Sequence, residues 1–342
     1  ENRYGNPYFA YGGDSGDVPH DADFCGNGIF FADRTPTPRM QEVKYLYQGI
    51  TGQVRPGEVT IIPTAGISVE GVQYLRFMSV ANWGQPGYWT TNYSGLAYST
   101  DNGENWSVVP ELARPITDTV PAGEGAPATD PSWRAAQMSS FLTADDHLYE
   151  YLTPSGRQGA AILARVPLDG SPSAAELDAA DTPPLAGVLD PHSYEYWDGT
   201  TWTAEIDDAT SVLPAPASEL STMYNDHLGK FTAMYSQGFR SVVMRTADRP
   251  EGPWSEATTL IDYSMLPGVY GAFMHPWAQG EDLYYLVTTW NAYNVFLVRT
   301  RLPELFPAPS AARAAVQAEP QATEVVRQVP VSELVDGVVP AE

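Results

Sequence analysis

The chain has 342 residues, 43% of them hydrophobic, which is enough for one large core, and 42 Asp and Glu against 18 Lys and Arg give a formal charge of −24. That charge opposes phosphate backbones and anionic membrane surfaces, so nucleic acid is excluded as an expected partner, whereas a neutral carbohydrate or a cationic partner is compatible with it. The single cysteine, Cys25, allows no intramolecular disulfide, and no apolar run of about eighteen residues provides a membrane span.

In chain order, residues 8–12 read as a strand running into a Gly13-Asp14-Ser15 turn, and 28–34 as the next strand. Residues 59–62, 73–81 and 94–98 form a first strand group. Residues 138–142, 147–152 and 161–166 form a second, followed by a hairpin over 194–202 that turns at Asp198-Gly199. A third group covers 220–224, 230–236 and 241–246, and a fourth 271–277, 282–290 and 294–301. Amphipathic helical runs are nearly absent, so the fold class is all-β. Repeated strand-turn-strand units that end near a Trp suit propeller blades around a central channel. Four groups cover about 57–305, and the segment before them is expected to complete a fifth, atypical first blade. Residues 114–133 and 168–190 read as exposed insertions. From Pro307 onward there is no aromatic residue, so 307–342 is expected to be a disordered, dispensable tail, with a short helix near 311–318 as its one candidate element.

Ser99-Thr100-Asp101-Asn102-Gly103-Glu104-Asn105-Trp106 has the Ser-x-Asp-x-Gly-x-x-Trp spacing of a stabilised hairpin turn. The aspartate can accept from the turn backbone, the glycine supplies positive φ, and the tryptophan folds back between strands. It resembles the Asp box of sialidase-like propellers, which bears on architecture and not on chemistry.

Two further resemblances divide the chain. Residues 7–48, with Gly12-Gly13-Asp14-Ser15-Gly16-Asp17 and Phe24-Cys25-Gly26-Asn27, resemble the late catalytic-barrel segment of large bacterial β-galactosidases. That resemblance implies a sodium ion held by the Phe24 carbonyl and the Asn27 side chain, while the family's catalytic glutamates have no counterpart in this stretch. No other cofactor is expected. Residues 57–305 resemble the bacterial five-bladed-propeller endo-D-arabinanase family, formerly a domain of unknown function. The matching pieces include Trp83-Gly84-Gln85-Pro86-Gly87, Trp89-Thr90-Thr91-Asn92-Tyr93, Ser218-Glu219-Leu220, Tyr270-Gly271 and His275-Pro276-Trp277. The resemblance implies a β-propeller acting on arabinofuranose polysaccharide, with its catalytic aspartates in the first blade. The expected units are therefore 1–56, 57–306 and 307–342.

A glycosidase needs two carboxyl groups flanking the scissile bond. Asp14 and Asp17 occupy the turn of the would-be first blade, with turn capping as their alternative role, and Glu219 starts a strand in a matched motif. Trp83, Trp89, Asn92, Tyr93, Tyr270 and Trp277 are candidate sugar contacts, and His275 a donor to a hydroxyl or a packed strand-end residue. The five histidines lack metal-ligand spacing. The leading expectation is a secreted or cell-surface O-glycosyl hydrolase, with cytoplasm as the alternative location. A non-catalytic carbohydrate-binding propeller and a β-galactosidase-related fragment are the alternative functions.

Overall fold

The structure, a computed structural model, describes residues 56–103, 105–119, 125–180, 183–274, 279–290, 295–306 and 323–328. Strands form four antiparallel sheets that follow one another along the chain. The first contains β1 (Thr60–Val69), β2 (Val72–Asn82), β3 (Thr90–Ser99) and β4 (Ser107–Pro115). The second runs β5 (Met138–Ala144), β6 (His147–Thr153), β7 (Ala161–Pro167), β8 (Glu195–Trp197) and β9 (Trp202–Thr203), with β10 (Ser211–Leu213) also paired to β7. The third contains β11 (Ser218–Asn225), β12 (Lys230–Gln237), β13 (Ser241–Ala247) and β14 (Thr258–Asp262). The fourth contains β15 (Val269–Met274), β16 (Asp282–Thr289), β17 (Val295–Arg301) and β18 (Thr323–Gln328). Among the described residues two short helices, α1 (Ala174–Ala179) and α2 (Leu302–Leu305), lie in connections.

The first strands of successive sheets pack in the order β1, β5, β11, β15, which sets the sheets side by side as propeller blades around a shared inner edge. Among the described residues there are four blades. The amino-terminal segment expected to complete a fifth lies outside them.

Alternation along each strand explains the packing, because successive side chains leave opposite faces. On β6, Leu148 and Leu152 enter the core shared with the first sheet, while Tyr149 and Tyr151 enter the core shared with the third. On β13, Val243 faces the second sheet's side and Val242 and Met244 the fourth. Both faces of these blades are buried, so their strands read as near-continuous apolar runs and not as inside-outside alternation.

The 99–106 turn has the hydrogen bonds its residue types suggest. Asp101 Oδ1 accepts from Asn105 N–H at 2.8 Å and Gly103 sits at φ +82°. Trp106 Nε1 donates to Gly103 O at 3.0 Å while its ring packs beside Ile61, Phe77 and Tyr93.

One expectation is corrected at the carboxyl end. Thr323–Gln328 is not structureless, because it pairs antiparallel with β17 as the outer strand of the fourth sheet. Thr323 Oγ1 lies 2.9 Å from Thr300 Oγ1, which is 3.1 Å from the Tyr285 hydroxyl, so the strand is tied into the sheet's polar interior. The candidate helix near 311–318 lies outside the described residues.

Candidate functional site at the blade mouth

The turns after β2, β6 and β12 and the beginnings of β11 and β15 lie at one end of the blades and bring side chains from all four sheets together. Arg157, in the β6–β7 turn, donates its backbone N–H to Gly87 O at 2.9 Å. Its Nε donates to Glu219 Oε1 at 2.6 Å. Its guanidinium lies 4.5 Å from the Tyr270 ring centre, 5.6 Å from Phe239 and 5.7 Å from Trp89. Trp83 and Trp89 meet edge to face at 6.3 Å. Sheet one thus supplies Trp83 and Trp89, sheet two Arg157, sheet three Glu219 and Phe239, and sheet four Tyr270.

Backbone freedom at Gly87 makes the convergence sterically accessible. It sits at φ +78°, and a Cβ there would lie 2.3 Å from the Phe239 ring. Glu219 is itself in the left-handed region, at φ +46°, where β11 bulges against β12 between Ser218 and Ser221. The bulge turns the carboxylate toward Arg157.

Three polar atoms near this mouth are buried without a hydrogen-bond partner: Glu219 Oε2, Trp89 Nε1 and Ser218 Oγ. Buried polar atoms are normally satisfied, so a carboxylate acceptor and an indole donor buried without a partner around Arg157 are exceptions that a bound water, or a ligand admitted by a local shift of the mouth, would satisfy.

The structure gathers four of the sequence-identified residues, Trp83, Trp89, Tyr270 and Glu219, and places two others elsewhere. Asn92 and Tyr93, 4% and 2% exposed, do not form an exposed sugar platform. Asn92 Nδ2 donates to Gly57 O and Ser79 Oγ, and its Oδ1 accepts from Thr117. The Tyr93 hydroxyl donates to Glu58 Oε1 at 2.9 Å. Both belong to a buried polar network beside β1. Asp14, Asp17, Phe24, Asn27, His275 and Trp277 lie outside the described residues. Arg157 and Phe239 were missed by sequence reasoning, and the one available signal was an arginine following Gly156 in a tight turn of a chain poor in cations. Among the described residues no cluster of three or more His, Cys, Asp or Glu is arranged to hold a metal ion.

A second charged assembly is structural. Glu150 on β6 accepts from Arg114 Nη1 and Nη2 at 2.9 and 2.7 Å and from Ser139 at 2.6 Å, with Arg76 Nε 3.0 Å away as an ion-pair contact. Burial pushes the Glu150 carboxyl up, but the Arg114 and Arg76 guanidiniums outweigh it and hold the group at about 2. Burial and the neighbouring Arg114 lower Arg76.

A family model described as Domain of unknown function (DUF4185) matches residues 20–299 and so overlaps the β-galactosidase-like stretch. Notoamide biosynthesis cluster protein J′ of Aspergillus versicolor is 30% identical over 265 residues, 73% of this chain and 63% of its own length. A β-galactosidase of Halalkalibacterium halodurans is 66% identical over 50 residues, 15% of this chain and 5% of the enzyme. The chain therefore spans less than two thirds of either relative. The solved structure of Bacteroides ovatus Xyloglucan PUL GH43B superposes with a TM-score of 0.41 at 14% identity, covering 73% of this chain and 40% of that one. At that score the superposition carries no argument about fold or chemistry.

Proposed function

The chain belongs to the family described as Domain of unknown function (DUF4185), and from that membership and the mouth geometry we propose a carbohydrate-active propeller of the endo-D-arabinanase type, acting on arabinofuranose polysaccharide. The observation that carries this reading is Glu219, with one carboxylate oxygen held by Arg157, whose guanidinium lies beside Trp89, Phe239 and Tyr270, and the other buried without a partner. A sugar ring supplies what the mouth lacks. Its hydroxyls donate to Glu219 Oε2, its oxygens accept from Trp89 Nε1, and its C–H face covers an exposed ring such as Trp83.

Hydrolysis needs a second carboxyl across the bond. In this proposal Asp14 or Asp17 supplies it from an amino-terminal fifth blade, with His275 and Trp277 extending the lining. The Asp-box identity of the 99–106 turn and a secreted or cell-surface location belong to the same proposal. Sodium at Phe24 and Asn27 rests on the β-galactosidase resemblance, and no step here uses it. A second reading, a binding module without turnover, is favoured by one fact: among the described residues, Glu219 is the carboxylate that contacts the guanidinium at the centre of the mouth.

The deciding experiment incubates wild type and Glu219→Gln with arabinan, galactan and a nitrophenyl galactoside, and runs an arabinan pull-down beside the assay. Oligosaccharide release from arabinan by wild type, reduced by orders of magnitude in Glu219→Gln while the pull-down survives, supports the enzyme. Retention on arabinan without release selects the binding module. Release of nitrophenol alone overturns both in favour of galactosidase-like chemistry.

A further inference from the structure

A cavity of about 530 Å³ opens between the first and second sheets at their outer strands, and it shares no lining residue with the mouth. Its volume is that of a small-ligand site, and the segments that build it include the two insertions expected to be exposed. Trp133 and Tyr194 line it, with Arg114 at its floor. Glu111, Glu205 and Asp207 also line it. The carboxylates of these three make no hydrogen bond or ion pair with other described residues, so three acceptors around one space are open to solvent or to a ligand.

Charge narrows what fits. The floor is the edge of the Arg76–Glu150–Arg114 assembly, in which two guanidiniums meet one carboxylate, and both guanidiniums already lie 6.0 Å from the Tyr194 ring centre. Arg114 is also 5.9 Å from the Trp133 ring. The floor's single excess positive charge is outweighed by the carboxylates of Glu111, Asp130, Glu205 and Asp207, so an anion is disfavoured and a cation is the competing occupant that the test includes. A neutral ring rich in hydroxyls uses the acceptors and the aromatic surface together. Its hydroxyls donate to the carboxylates and its apolar face packs on Trp133.

We propose that this cavity is a second carbohydrate-binding site, separate from the mouth, that holds a neutral sugar unit of a polysaccharide chain. The proposal stands on the cavity's own residues and takes only its choice of probe from the mouth reading. It predicts an attachment point that raises retention on polymer and leaves the chemistry at the mouth untouched.

The test is affinity electrophoresis through gels containing arabinan or arabinogalactan, comparing wild type with Trp133→Ala, with the Glu205→Gln/Asp207→Asn double variant and with Trp89→Ala. Glu205 and Asp207 are exposed, so the double variant keeps the fold even where loss of the Trp133 ring disturbs packing. The expected result is retardation of wild type that weakens about threefold or more in both cavity variants, the size of one lost stacking or charge-assisted contact. Spermidine, added as a cationic probe, leaves the retardation unchanged. Retardation lost in Trp89→Ala but kept in both cavity variants overturns this inference and leaves the mouth reading standing. Absence of wild-type retardation on either gel overturns it as well, while the mouth reading is decided separately by product release. Abolition by spermidine overturns the choice of a neutral ligand.

Discussion

Glu219 combines two costs that a purely structural residue would not need. A non-glycine residue in the left-handed region costs about 1–3 kcal/mol, and a buried acceptor without a partner a similar amount. Both are held in place by Arg157, whose own backbone is anchored on Gly87. Gly87 is therefore the residue at which the mouth can be broken without touching its chemistry. Gly87→Ala places a methyl against Phe239 at a backbone angle that disfavours any side chain. We expect a loss of about 1–3 kcal/mol in denaturant unfolding, with weaker retention on arabinan. Unchanged stability would show that Phe239 swings aside freely. Trp89, Tyr270 and Glu219 were legible in the sequence because aromatic and acidic residues declare themselves by type. Arg157 was not, since its meaning comes from partners on three other sheets.

At the scale of elements, most strands were legible from their turns. The Asp145-Asp146 pair, both residues at positive φ, separates β5 from β6, and Gly156 marks the turn before β7. β18 was not legible, because an outer strand draws its stability from pairing and needs little apolar surface. Val325 is 37% exposed, while the strand's backbone bonds to β17 and Thr323 joins the Thr300–Tyr285 chain. Truncation after Phe306 should therefore lower the melting temperature by about 2–4 °C, the effect of roughly 1 kcal/mol in a protein of this size, and uncover the β17 edge to self-association. A truncated protein that melts with the full chain and stays monodisperse in light scattering would return the segment to the status of a dispensable tail.

At the scale of the whole molecule, the charge imbalance on the surface contrasts with a buried assembly of opposite excess. The Glu150 carboxyl is lowered from an ordinary 4.5 to about 2, so its contribution to stability is complete above pH 4.5 and is lost as the pH falls toward 2. The contribution is on the order of 3 kcal/mol. Acid titration of the unfolding midpoint should show a fall in that window. Glu150→Gln should flatten this part of the curve while costing about 3 kcal/mol or more throughout, because two buried guanidiniums lose their anion. A variant with the same acid limb as wild type would assign the limb to other carboxylates. The meeting of four sheets at Arg157 has a kinetic consequence. Gly87, Arg157, Glu219 and Tyr270 are far apart along the chain, and each contact with Arg157 closes a long loop whose entropy must be lost before the contact can form. No early hairpin can contain this junction. The junction is complete only when strands from all four described sheets are in place, which predicts that the mouth forms late in folding; mutations at Arg157 are expected to speed unfolding more than they slow folding, as stopped-flow measurements would show.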